Sequence, residues 1–261
     1  MKILTLIQVM IASLIFFPAR DYTQLPSAYR LAYEEVRCQA ADGTQLYGWF
    51  MPAAESRATI YFLHGNAGNI SDRLYKTEGW VKRGYSVFLL DYRSYGQSKG
   101  SITSENDIYQ DAEAGLAWLR NEKKTALSDL IIYGESIGSA PALYLAVKRN
   151  FKALILESPF TSLADVAKIH YPFVPSFLLR QFQFNNLERL RQIHTPVIIL
   201  HGIQDGICPY RMGETLFREA PQPKELVSVP EGRHNDLYEL LGADFFDKPI
   251  RFMVQSAGSS S

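Results

Sequence analysis

Gly134-Glu135-Ser136-Ile137-Gly138 follows the apolar run Leu130-Ile131-Ile132-Tyr133 and precedes Ser139-Ala140-Pro141-Ala142-Leu143-Tyr144-Leu145-Ala146-Val147. A serine with a glycine two residues to either side, set between a strand and a helix, is the pattern of a nucleophile elbow. The glycines are needed because strand and helix backbones pass close together there, leaving no room for Cβ atoms. The serine is forced onto the apex, its hydroxyl facing outward over the helix N-terminus. The same five residues also fit an ordinary strand-to-helix turn, so their chemistry depends on partners elsewhere. A serine hydroxyl is a poor nucleophile at neutral pH. It needs a base, an acid that orients the base, and donors for the developing oxyanion.

The chain holds five histidines, His64, His170, His194, His201 and His234. After an elbow the order is Ser, then Asp or Glu, then His, which leaves His234 as the base. It lies in Glu231-Gly232-Arg233-His234-Asn235-Asp236, after the strand-like Glu225-Leu226-Val227-Ser228-Val229-Pro230, on an expected loop leaving the sheet. The acid should sit at a strand end between the two. Asp205, just past the β-branched run Pro196-Val197-Ile198-Ile199-Leu200-His201-Gly202, is favoured. Glu157, ending Ala153-Leu154-Ile155-Leu156, competes, and Asp205 also fits an Asx-type turn. For the oxyanion, one donor would be the N–H of Ile137. The other would come from His64-Gly65-Asn66-Ala67-Gly68-Asn69, after the strand Ala58–Leu63, with Asn66 N–H best placed. That loop also reads as a plain Gly-Asn turn.

With these segments in place the chain resembles the α/β-hydrolase superfamily from about Tyr33 to Phe252. Within it the chain is similar to small membrane-associated serine hydrolases carrying the His-Gly-Asn-Ala-Gly-Asn loop. That group overlaps in pattern with serine-aminopeptidase-like proteins and protein depalmitoylases. Supporting blocks are Leu90-Asp91-Tyr92-Arg93-Ser94-Tyr95-Gly96-Gln97-Ser98, Glu157-Ser158-Pro159-Phe160-Thr161-Ser162, and His201-Gly202 with Asp205 and Pro209. Two departures stand out. Gly206 and Cys208 stand where an acidic or polar residue and a valine are more usual, and Arg233 precedes the histidine where a small residue is common. The resemblance implies an α/β-hydrolase fold: a mostly parallel sheet of about eight strands, flanked by helices, with a short cap. It also implies cleavage of an ester or thioester of an apolar acyl substrate through a Ser136–His234–Asp205 acyl-enzyme mechanism, with no cofactor or metal. A serine peptidase of the aminopeptidase type is the alternative, and a non-catalytic membrane-tethered interaction protein a third. Dehalogenases carry Asp at the elbow, so Ser136 disfavours them.

The positioning elements alternate. Val36–Ala40 and Gln45–Met51 read as a hairpin across Ala41-Asp42-Gly43, and a helix over about Asp72–Lys82 ends at Gly84. Tyr85–Leu90 is the next strand, and Ser104-Glu105-Asn106-Asp107 resembles a capping box. The box opens a helix with Ile108, Ala112, Leu116 and Leu119 on one face. Such alternation implies a parallel sheet with helices on both faces, and it collects Asn66, Ser136, Asp205 and His234 at the carboxyl ends of strands. Asp91 and Arg93 read as a loop-stabilising pair, and His64, His170 and His201 as structural histidines.

Composition fits one compact enzyme domain over residues 21–255: 261 residues that are 47% hydrophobic can bury a large core. A formal charge of zero gives no basic footprint for nucleic acid. Cys38 and Cys208 are too few for a disulfide framework and read as free thiols. No Cys/His cluster has metal spacing and no loop has the Walker pattern. Residues 1–20 carry the apolar run Ile3–Phe17, read as an uncleaved signal anchor, next as a cleaved signal leading to a secreted or periplasmic domain, or as a buried helix. As a helix it spans roughly 22 Å, short of a roughly 30 Å hydrocarbon core. The amino terminus and Lys2 outweigh the nearly cancelling Arg20-Asp21, placing a membrane-associated domain on the exported side. The segment of about 159–195, with Tyr171, Phe173, Val174, Phe177, Leu178, Leu179, Phe182 and Phe184, reads as an apolar cap or as ordinary crossover packing. Residues 256–261 read as a disordered tail.

Overall fold

The chain is described by a computed structural model covering residues 2–173, 175 and 179–258. In order, the elements are α1 (Lys2–Ile15), β1 (Phe17–Pro18), β2 (Glu34–Gln39), β3 (Gln45–Met51), β4 (Ala58–Leu63), β5 (Ala67–Gly68), α2 (Leu74–Lys82) and β6 (Tyr85–Asp91). Then come α3 (Glu105–Asn121), β7 (Leu130–Glu135), α4 (Ser139–Val147), β8 (Ala153–Glu157), α5 (Leu163–His170) and α6 (Asn186–Leu190). The chain continues through β9 (Val197–Gly202), α7 (Tyr210–Glu219), β10 (Lys224–Val229), α8 (Leu237–Leu241) and α9 (Asp244–Gly258).

Eight strands form one sheet in the order β10-β9-β8-β7-β4-β6-β3-β2. Only β3 runs against its neighbours β2 and β6; the remaining pairs are parallel. Side chains alternate across the pleat, so Ile131 and Tyr133 of β7 enter one core while Leu130 and Ile132 enter the other. Helices cover both faces, which explains why the central strands read as unbroken apolar runs. The capping box forms as expected: Asp107 Oδ2 accepts from Ser104 N–H at 2.9 Å, and Ile108, Ala112, Leu116 and Leu119 are buried. The register sets Leu63 of β4 beside Gly134 of β7, so the loop after β4 and the elbow after β7 leave the same edge side by side.

Both chain ends differ from expectation. The boundary drawn at residue 20 falls inside packed structure. Phe17 and Pro18 pair in parallel with Ala67 and Gly68. Ala19 N–H donates to Gly68 O at 2.9 Å, and Arg20 Nη1 donates to Ser98 O at 2.6 Å. Phe16, only 4% exposed, meets Phe182 and Phe184 edge-on at centroid separations of 5.7 and 6.4 Å. The short strand satisfies backbone groups of the loop after β4 that the main sheet leaves free. Among the described residues no helix is long and apolar enough to cross a membrane. At the other end, α9 runs through residues 256–258, where a disordered tail was expected. Ser256 is buried and its hydroxyl donates to Phe252 O at 2.8 Å, which holds the last turn; residues 259–261 lie outside the described residues.

The cap segment divides between the two readings. Phe182 and Phe184 are fully buried, whereas Tyr171 and Phe173 stand 65% and 96% exposed. Val174, Phe177 and Leu178 lie outside the described residues.

A buried ionic network ties the ends of β7 and β8 to the start of α2. Lys76 Nζ lies 2.7 Å from Glu157 Oε2 and 3.0 Å from Glu135 Oε2, and Arg73 Nη2 lies 2.8 Å from Glu135 Oε1. Tyr133 donates its hydroxyl proton to Glu157 at 2.6 Å. Burial pushes the Glu135 carboxyl up, but Arg73 and Lys76 beside it prevail and hold it well below the usual carboxylate range. Ionised Glu135 therefore stabilises the fold above the unfolded carboxylate pKa, and that contribution is lost as pH falls through its depressed folded value, whereas burial pushes the Glu157 carboxyl up.

Two tests follow from this packing. Glu135→Gln should lower stability at pH 7 by about 3 kcal/mol, and its deficit against the parent should shrink below about pH 4.3. Denaturant titrations across pH check both parts. Phe16→Ala should cost about 3 kcal/mol by the same measurement, because it opens a cavity between Phe182 and Phe184; an unchanged midpoint would mean the N-terminal segment does not pack there.

Candidate active site

Ser136 sits between β7 and α4 with φ 51°, a left-handed backbone that an L-residue adopts only under constraint. A Cβ on Gly138 would lie 2.0 Å from Leu63 O and 2.8 Å from His64 O. One on Gly134 would lie 2.7 Å from Gly138 O. Both glycines are thus demanded by close approach, as the spacing implied.

His234 reaches the elbow from the loop after β10. Ser136 Oγ lies 2.9 Å from His234 Nε2, and His234 Nδ1 lies 2.7 Å from Asp205 Oδ2. With Nδ1–H donating to the carboxylate, Nε2 is free to accept the serine proton. Asp205 Oδ1 accepts from Ile207 N–H and Cys208 N–H, each at 2.8 Å. The Asx turn and the imidazole partner are therefore one residue, using different oxygens. Burial works against the Asp205 charge, but hydrogen bonds from His201 and His234 outweigh it and keep the carboxyl well below its ordinary range. His201 Nε2–H donates to Cys208 O at 2.7 Å and lies 3.4 Å from Asp205 Oδ2. The unusual Cys208 acts through its backbone and is a buried free thiol; Cys38 is likewise free. A Cβ at Gly206 would meet nothing within 4 Å, so no packing demand sets that departure. Arg233 is exposed, and its N–H donates to Asp236 Oδ1 at 2.6 Å.

The competing acid, Glu157, is occupied by Lys76 and Tyr133 and does not touch His234. Asn66 lies on the loop beside the elbow. Its carbonyl accepts from Tyr95 Oη–H at 2.6 Å, and its side chain donates to Ile15 O at 2.5 Å and accepts from Phe17 N–H at 3.3 Å. Among the described residues no protein acceptor takes the Asn66 N–H. Ile137, buried, follows Ser136 in the turn. His64 lies between Tyr92 and Tyr95, with Nδ1 2.8 Å from Gly65 O. Burial, with the Arg73 charge nearby, lowers its pKa to about 3, so it is neutral and structural. His170 Nε2 donates to Ile207 O at 2.8 Å, tying α5 to the acid loop.

One expected pair does not form. Arg93 binds Asp111 instead, with Nη2 2.7 Å from Oδ1, and reaches Asp42 at 2.7 Å. Asp91 accepts from Tyr22 Oη–H at 2.7 Å and Ile70 N–H at 3.0 Å, and burial pushes its pKa up to about 7. Each still holds a loop, through partners distant in sequence.

Sequence reading did not single out Arg73 and Lys76. The usable signal was Glu135: a carboxylate at the end of a buried strand requires a counterion. These residues line a cavity of about 360 Å³ beside the imidazole, bordered by Ala67, Asp72, Lys76, Glu135, Glu157 and His234. It is a charged space, unlike the apolar one expected from the cap.

Residues 54–185 match the family model described as serine aminopeptidase, S33. An uncharacterized protein of Mycobacterium tuberculosis is 36% identical over 94% of this chain and 87% of its own length. The alpha/beta hydrolase domain-containing protein WAV2 of Arabidopsis thaliana is 31% identical over 92% of this chain and 84% of its own. Among solved structures, the Pyrococcus furiosus esterase Pf2001 superposes with a TM-score of 0.76 at 20% identity, covering 93% of this chain and 98% of that one. Strand order, elbow and these relatives agree, and the chain belongs to the α/β-hydrolase superfamily.

Proposed function

We propose that this hydrolase cleaves carboxylic esters or thioesters through an acyl-enzyme on Ser136; the exposed cap aromatics Tyr171 and Phe173 favour an apolar acyl group, whereas the charged cavity beside His234 does not. The observation that carries the reading is the unbroken chain of contacts from Ser136 Oγ through His234 to Asp205, at 2.9 and 2.7 Å. His234 takes the serine proton as Oγ attacks the carbonyl carbon. The N–H groups of Ile137 and Asn66 hold the oxyanion, and Asp205 stabilises the imidazolium. The tetrahedral species collapses as His234 gives its proton to the leaving oxygen or sulfur. Water, deprotonated by the same imidazole, then releases the acid and restores Ser136.

A serine aminopeptidase is the second reading, favoured by the family model's description. The cavity's two buried glutamates weigh against it, since Arg73 and Lys76 already occupy them. Turnover of fatty-acyl against aminoacyl nitrophenyl derivatives separates the two: faster fatty-acyl cleavage supports the ester reading, and aminoacyl preference overturns it.

Exposed Met10, Leu14, Phe17, Tyr171 and Phe173 support association of the N-terminal segment and cap with a membrane surface.

Ser136→Ala should lower kcat by about 10⁴-fold or more with unchanged thermal stability. Asp205→Asn should lower kcat by about 10⁴-fold through the wrong imidazole tautomer. Because Asp205 stays ionised far into acid, protonation of this carboxylate should contribute no limb to the activity profile above pH 4. Flotation with phosphatidylcholine vesicles should carry the full chain upward, and Leu14→Asp with Phe173→Asp should abolish it. Vesicle-free parent protein would refute the surface contact.

A further inference from the structure

Arg73 ends the short turn Ile70–Arg73 that leads into α2 and is 8% exposed. Its guanidinium faces two segments at once. Nη1 donates to Ala67 O at 2.7 Å and to Asn69 O at 3.4 Å, one residue beyond Asn66 and further along the same loop. On its other side, Nη2 and Nε donate to Glu135 Oε1 at 2.8 and 3.3 Å, one residue before Ser136. The space for this pair comes from Gly65, where a Cβ would lie 2.6 Å from Glu135 Oε1 and 3.0 Å from Arg73 Nη2.

The ladder between β4 and β7 ends at Leu63 opposite Gly134. Beyond it, among the described residues, no bond of the β4–β7 ladder fixes the distance from the Asn66 N–H to the Ile137 N–H. From these contacts we infer that Arg73 is a positioning residue that sets the separation of the two oxyanion donors, an inference resting on the acyl-transfer reading above. A rigid fork with donors on two sides can bridge a carbonyl and a carboxylate; a lysine ammonium on a flexible stem cannot hold both in one geometry. Removing one oxyanion donor costs about 10²–10³ in kcat, and a misplacement of about 1 Å has a comparable cost. Arg73 touches neither the serine nor the imidazole, so its effect should appear only where the oxyanion forms.

The test uses the full chain as Arg73→Lys and as the charge-neutral pair Arg73→Met with Glu135→Gln, which leaves no lone buried carboxylate. Active sites are titrated with a fluorophosphonate, and kcat, KM and the affinity of an alkyl boronic acid, which forms a tetrahedral adduct, are measured per titrated site. The expected result is kcat about 100-fold lower in both variants, KM within about twofold, and boronate affinity falling in step with kcat. Unchanged kcat per titrated site overturns the inference, as does a loss that appears mainly in KM or boronate affinity that stays at the parent value. In those cases a parent protein that titrates normally leaves the acyl-transfer reading standing. A parent that never takes up the probe overturns that reading and this inference together.

Discussion

At Ser136 the backbone occupies φ 51°, where a non-glycine residue costs about 1–3 kcal/mol. That conformation persists because β7 is a buried central strand whose register with β4 and β8 is fixed, and because α4 begins immediately after the turn. Two residues on, Gly138 packs so closely against the Leu63 and His64 carbonyls that a Cβ there would have no room. The strain is what presents the hydroxyl to His234 instead of packing it into a helix. Every other feature of the site is arranged around that one held torsion.

The parallel sheet delivers the remaining groups to the same edge. β4 ends in the Asn66 loop, β9 in the Asp205 turn and β10 in the His234 loop, and each loop is then tied locally. Asp205 is tied by two backbone N–H groups, and Asn66 by Tyr95 and the N-terminal segment. Below them, the Arg73–Glu135–Lys76–Glu157 chain links α2, β7 and β8. Such buried charges are costly to desolvate and add little net stability over apolar packing. They hold the ends of β7 and β8 against α2, beside Ser136 and His234. The apolar N-terminal stretch joins this arrangement, since Phe16 closes on the cap aromatics while Phe17 and Asn66 share a hydrogen bond.

What was legible in the sequence was set by short range. The elbow, the Ala41-Asp42-Gly43 hairpin, the capping box at Ser104 and the apolar strand runs are each contained in a few residues, and all appear in the structure. Asp205 and His234 were reachable because chain order along a parallel sheet restricts which strand end can supply them. Long-range charge pairing was not legible. Arg93 had an acid two residues away, yet the fold offered Asp111, and Glu135 gave no hint of which cation would meet it. The packing of the N-terminal segment was not legible for a related reason. Hydropathy marks Phe16 and Phe17 alike as apolar but cannot say that Phe16 turns onto the rings of Phe182 and Phe184 while Phe17 stays exposed.

The central claim is that a single alcohol carries the acyl group between substrate and water. Rapid acid quench of a reaction with a nitrophenyl ester, followed by intact-mass measurement and peptide mapping, tests it most directly. The expected result is one acyl adduct per chain, on Ser136, formed in a burst that equals the first nitrophenol released. Continuous nitrophenol release with no adduct at any time, or an adduct on another residue, would contradict the account.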